Sequence, residues 1–121
     1  MYKLTKNYYS GITKFYFDAT LKSIIKIGDL NNGKKNILDF GCGFGELKKK
    51  VKNTVYNYDK DMDYSDYKNW KSLDFNYFVA NQVIYLFSEE ELVDLIDSIK
   101  KINSQTILII GISKQNFFSK I

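Results

Sequence analysis

The chain has 121 residues, 45% of them hydrophobic, which is enough for one core and not for two. Its net charge of +4 arises from 18 lysines and no arginine against 14 acidic residues, so the guanidinium forks that read guanine or grip phosphate are missing and specific nucleic-acid recognition is not expected. The absence of histidine and the single cysteine, Cys42, argue against zinc chemistry, a hydrolase triad and an internal disulfide framework.

No signal-peptide or membrane-span pattern is visible, and the default compartment is the cytoplasm. A single domain over 1–121 is expected, with a helical cap over 1–33 and a βαβ core over 34–121. The segment Ile12–Ile27 reads as a helix, with Phe17, Leu21, Ile24 and Ile25 at helical spacing and Gly28 as its stop. Next comes the most informative stretch of the chain, Asn36 to Leu47, where a short apolar strand meets a helix through Gly41, Gly43 and Gly45. Glycine permits a sharp bend and a close approach of ligand to backbone N–H groups, and a helix starting near Gly45 points its positive end at the same place. A dinucleotide fingerprint would need its third glycine at position 46, which is Glu46, and no Gly-Lys-Ser/Thr follows as a phosphate loop requires. What remains is Asp-x-Gly-x-Gly-x-Gly, in which Asp39 would repel a pyrophosphate and suit a ligand carrying a positive amino group and a sulfonium. Cys42 fits inside this turn as a small side chain.

Leu47 and Val51 form one face of a short helix over Glu46–Asn53, and Lys48, Lys49, Lys50 and Lys52 are its solvated side. Thr54–Tyr58 reads as a second strand ending at Asp59. A carboxylate at that tip can accept hydrogen bonds from both hydroxyls of a ribose, with Lys60 beside it and Asp61 in its place if the strand runs two residues further. The acidic turn Asp59, Asp61, Asp63 and Asp66 lacks the glycine and glutamate of a calcium loop, and no metal site is expected. The 15 residues from Lys60 to Asp74 are too few for a full helix and another regular strand. Phe75–Phe87 holds the next strand and the turn after it, placing Asn81 and Gln82 at the strand's carboxyl end, where doubly wound sheets bind their ligands. Ser88 and Glu91 then make a capping box for a helix whose stripe of Leu92, Leu95, Ile96, Ile99 and Ile102 is expected to be core. Finally Thr106–Ile112 is a nearly continuous apolar run, as expected for a parallel strand covered on both faces.

Taken together, the glycine turn, the Asp59 strand tip and the Phe75–Phe87 segment resemble the class I S-adenosylmethionine-dependent methyltransferases. The resemblance implies an α/β, doubly wound, Rossmann-like and mostly parallel sheet of about four or five strands, lacking the family's C-terminal antiparallel hairpin. It also implies S-adenosylmethionine as cofactor, held by Asp39, Gly41, Cys42, Gly43, Gly45, Asp59, Lys60, Asn81 and Gln82, with Tyr8, Tyr9 and Gly11 able to touch its methionine end. Three departures stand out: Asn76 is where the family commonly has Asp, Tyr85 is where it commonly has His, and Asp74 is a poor match for the acid that contacts adenine. The implied activity is methyl transfer to an unknown acceptor, and the alternative is a non-catalytic subunit or remnant that needs a partner chain. With no hairpin after it, Thr106–Ile112 would be a sheet edge open to a second copy, together with Phe117-Phe118, or to another chain.

Overall fold

The computed structural model of the protein describes residues 11–112. Tyr8, Tyr9, Phe117 and Phe118 lie outside the described residues, as do the side chains of residues 11–13 and of Tyr85. Four parallel strands, β1 (Ile37–Phe40), β2 (Val55–Tyr58), β3 (Tyr77–Asn81) and β4 (Ile107–Gly111), form one sheet in the order β2-β1-β3-β4. Helices α1 (Gly11–Gly28), α2 (Glu46–Lys50) and α3 (Glu89–Ile102) flank it. This is an α/β fold with an all-parallel sheet, consistent with a Rossmann-like architecture. From β1 the chain moves outward to β2, then crosses to β3 on the other side of β1. The topological switch point therefore lies at the carboxyl ends of β1 and β3.

Alternation along the strands divides the core in two. On one face Ile37, Val55, Tyr77 and Val79 pack with Leu21 and Ile24 of α1, Leu30, and Leu47 of α2. On the other, Leu38, Phe78 and Ala80 pack with Phe75, Trp70 and Ile99 of α3. Phe40, Tyr58, Trp70 and Phe78 extend this second layer as an aromatic cluster, with Phe40 stacked on Tyr58 at 5.4 Å and Trp70 edge-on to Phe78 at 5.4 Å.

Asparagines close the amino edge of the sheet. Asn53 accepts from the Gly33 N–H at 2.6 Å and donates to the Lys35 carbonyl at 2.8 Å, so the loops entering β1 and β2 are clamped together. Asn76 Oδ1 accepts the Asn36 N–H at 2.9 Å, joining the starts of β1 and β3. The carboxamide at position 76 thus has a structural task.

Two expectations need correction. β4 is parallel, but it is not covered on both faces: Ile107, Leu108 and Ile110 are 47%, 37% and 37% exposed, and among the described residues it is the sheet edge. The α3 stripe is also less buried than its spacing suggests. Only Ile99 is fully buried, and Ile102 is 37% exposed, because α3 packs on the aromatic layer through Leu95 and Ile99. The capping box is present as expected, with Ser88 Oγ accepting the Glu91 N–H at 3.1 Å and Glu91 Oε1 accepting the Ser88 N–H at 3.0 Å.

Burial predicts a sharp contrast between two apolar substitutions. Phe78→Ala removes a fully buried ring and should cost about 3–5 kcal/mol. Ile107→Thr, on the exposed edge, should stay within about 0.5 kcal/mol of the parent chain. Urea unfolding of both variants measures the difference.

Candidate functional site

β1 ends in a turn that only glycine can make easily. Gly41, Gly43 and Gly45 have φ values of 80°, 53° and 75°, all in the left-handed region. At Gly41 a Cβ would also stand 2.5 Å from Val83 Cγ1 in the segment after β3, so the turn and that segment touch directly. The turn is held by its own bonds. The Gly41 and Cys42 N–H groups both donate to the Tyr58 carbonyl, at 2.8 and 3.0 Å, and the Gly45 N–H donates to the Cys42 carbonyl at 3.0 Å. The Gly43 N–H donates to Asp59 Oδ2 at 3.0 Å.

These contacts alter the sequence reading of the turn. Its N–H groups at 41, 42, 43 and 45 are engaged within the protein. The helix after it has five residues, Glu46–Lys50, and not the eight of Glu46–Asn53, so its dipole is weak. Lys48 and Lys49 are exposed as expected, whereas Lys50 is half-buried and pairs with Asp18 at 3.2 Å.

Asp59 lies at the tip of β2, where the sequence places it, and is oriented by two backbone donors. Oδ2 takes the Gly43 N–H, and Oδ1 takes the Asp61 N–H at 2.9 Å. A carboxylate has about four lone-pair positions, so one on each oxygen remains for a ligand. Asp61 continues the turn by accepting the Asp63 N–H at 3.1 Å. Lys60 is exposed. Phe44 and Tyr64 stand edge to face at 5.4 Å beside this loop.

Asp39 is the most unusual group of the site. It is 5% exposed, lies in β1 between Asn57 of β2 and Val79 of β3, and shares a face with Ile37. No described residue donates a hydrogen bond to its carboxyl or pairs with it. Burial, and after it the neighbouring Asp59 charge, push its pKa from 3.8 up to about 7. Asn57, its register partner, has a buried Oδ1 without any donor. The same face has polar residues at the amino edge too, yet Asn53 there has its contacts filled. Buried polar atoms are nearly always paired, so the orphaned Asn57 amide oxygen, in register with a 5% exposed carboxyl to which no described residue hydrogen-bonds, marks a place built for something other than packing. The other buried orphan, Thr106 Oγ1, lies away from this edge at the start of β4.

Asn81 and Gln82 fall at the carboxyl end of β3, as expected from sequence. Gln82 is 6% exposed and has φ 64°, an uncommon state for a side-chain-bearing residue that costs of order 1 kcal/mol or more. Its N–H donates to the Gly111 carbonyl at 2.8 Å and its Nε2 to Asn81 Oδ1 at 3.2 Å, which pins the ends of β3 and β4 together. Gly111 leaves the room for Asn81, whose Oδ1 a Cβ at that position would strike. Cys42 is buried, and its Sγ donates to the Tyr64 carbonyl at 3.4 Å. Desolvation, then Asp39, Asp59 and Asp66, push its pKa far up, so it is a packing thiol and not a nucleophile.

Sequence reasoning missed Asn57. It lies in a segment read simply as strand, and its one mark in the sequence is an amide two residues before Asp59; the register with Asp39 shows only in the sheet. Asp74, the poor match for an adenine contact, is exposed, and its carbonyl accepts from Asn36 Nδ2 at 3.0 Å. Among the described residues, no three His, Cys, Asp or Glu side chains are grouped to hold a metal, and no helix is long and apolar enough to cross a membrane. Comparison with protein-family models, curated proteins and solved structures gives no match.

The buried carboxyl predicts a pH dependence of stability. Between pH 3.8 and about 7 the folded state holds a proton on Asp39 that the unfolded state has lost, so this group's contribution falls as pH rises across that window, by at most ~1.4 kcal/mol per unit. Asp39→Asn should remove this fall and be more stable than the parent at pH 8. Urea unfolding at pH 5 and pH 8 checks both.

Proposed function

We propose that this chain binds S-adenosylmethionine at the carboxyl edge of its sheet and transfers the methyl group to an acceptor. The observation that carries the reading is Asp39: a buried carboxyl with no partner, beneath a three-glycine turn and at the switch point of a parallel sheet. An acid in that place disfavours a pyrophosphate and favours a ligand with an ammonium or sulfonium group. Asp59 supports the same reading, since its carboxylate is already aimed by the Gly43 and Asp61 N–H groups and keeps lone pairs for a pair of hydroxyls.

When bound, S-adenosylmethionine supplies a methyl carbon activated for in-line displacement. The protein's task is then orientation and exclusion of water, and a strong general base is not essential. In this reading Asp39 holds the amino end and Asp59 the ribose. Gly41, Gly43 and Gly45 let the ligand approach the backbone of the turn, and Asn81 and Gln82 line the side of β3.

A second reading, a cofactor-binding subunit that works with another chain, is favoured by the exposed β4 edge. Ile107, Leu108 and Ile110 present apolar surface on both faces of a strand with only β3 as its described neighbour. Turnover that appears only when a second chain is added would separate this reading from the first.

Calorimetric titration with S-adenosylmethionine, S-adenosylhomocysteine and NAD tests the assignment. The first two should bind and NAD should not. Asp59→Ala should weaken binding by about 1.5–3 kcal/mol, the range for hydrogen bonds to a charged group. Gly43→Val, which forces a branched residue to φ 53°, should abolish it. Equal affinity for NAD, or unchanged affinity in both variants, would contradict the cofactor assignment.

A further inference from the structure

The carboxyl edge of the sheet holds two acids close enough to feel each other, and among the described residues neither is ion-paired with a lysine. Asp39 and Asp59 interact across the glycine turn. Asp66, which stands 3.9 Å from Lys48, adds to the negative field at Cys42, and the Cys42 thiol is neutral. Helices α1 and α2, which cover this face, bring Asp18, Glu46 and Lys50, but these are tied to one another, with Lys50 at 3.2 Å from Asp18 and 3.9 Å from Glu46. From β3 the register neighbour is Val79, and the segment after it contributes the neutral Gln82. A bare carboxylate at 5% exposure in such surroundings is costly. Something positive has to accompany it, and a proton is always at hand.

Asn57 is consistent with that proton. Strand pairing puts it directly beside Asp39, at the roughly 4.8 Å spacing of neighbouring strands. Its Oδ1 is buried and lacks a donor. In register, a protonated Asp39 is the neighbour that could donate to it. Once Asp39 is ionised, rotation of the Asn57 amide would present N–H in place of oxygen, so one neighbour can serve both charge states.

We infer that Asp39 is a proton-exchange site: it carries a proton until a ligand's ammonium group arrives, and then releases it, so that cofactor binding is coupled to the loss of one proton. This rests on the cofactor reading above and adds to it a regulation of the site by pH. The cation replaces the proton as the partner of the buried charge, and no bond other than the Asp39 O–H is broken. Two consequences follow for binding. Below the titration of Asp39 the ligand competes with a proton, and affinity rises tenfold for each pH unit. Above it the carboxylate is already free, and affinity is flat.

The test is calorimetry on the full chain with S-adenosylhomocysteine, which keeps the ammonium group and lacks the sulfonium. It is run from pH 5.5 to 8.5 in pairs of buffers of different ionisation enthalpy. About one proton should be released per ligand at the acid end, falling to none by pH 8.5, while Kd falls tenfold per unit and then levels. Asp39→Asn should release no proton and show a flat profile with weaker binding at pH 8. Since that variant could perturb the fold, carboxyl carbon NMR of the parent chain gives a second measurement. Asp39 should titrate near neutrality alone and remain ionised throughout with ligand bound. Binding that is tight, independent of pH and without proton release would overturn the exchange while leaving the cofactor assignment intact. No binding at any pH would overturn both.

Discussion

The site depends on one constraint: β1 is hydrogen-bonded on both sides, by β2 and β3, and yet carries an ionisable residue, Asp39, one position before its end. Asp39 within it is 5% exposed, and no described residue donates a hydrogen bond to its carboxyl. Its neighbours on the same face are Ile37, Asn57 and Val79, and the turn above it belongs to the same chain segment. The carboxyl must therefore find its compensation locally, in a proton or in a ligand. The high pKa of Asp39, the orphaned amide of Asn57 and the preference for a cationic guest all follow from that enclosure.

The two edges of the sheet differ in how completely their polar groups are satisfied. At the amino edge Asn36, Asn53 and Asn76 bond carbonyls, amides and one another and hold the strand entrances in register. At the carboxyl edge the backbone of the turn is satisfied while side chains are left waiting. Asp59 shows how the turn can be rigid and receptive together, because the bond from Gly43 fixes the orientation of a group that still has capacity to accept. Gln82 adds strain on the opposite wall, retained through its bonds to Gly111 and Asn81.

Much of this was legible in the sequence. Three glycines at alternate positions have no economical use except a left-handed turn, and each proves to have positive φ. Ser88 and Glu91 locate α3 to the residue, because a capping box uses fixed spacing. The strand ends at or next to Asp39, Asp59 and Asn81 follow from where apolar runs stop. The state of the turn's N–H groups was not legible, since whether Gly43 faces a ligand or Asp59 depends on how β2 sits against β1 and not on local pattern. The cover of β4 was not legible either. A continuous apolar run reads the same whether helices cover the strand or leave it open, and here α1 reaches it at Ile109 while Ile107, Leu108 and Ile110 stay exposed. Asn57 escaped notice because strand propensity masks a single polar residue; its meaning comes from register with Asp39.

Backbone amide shifts in a ¹⁵N-labelled sample titrated with S-adenosylmethionine test the central claim most directly, because they locate a ligand without presuming an acceptor. The account predicts saturable changes concentrated at Gly41–Gly45, Asn57–Asp61 and Asn81–Gln82, with the amino edge around Gly33, Lys35 and Asn76 unmoved. Changes centred on the amino edge or on the β4 face, or none at saturating ligand, would contradict it.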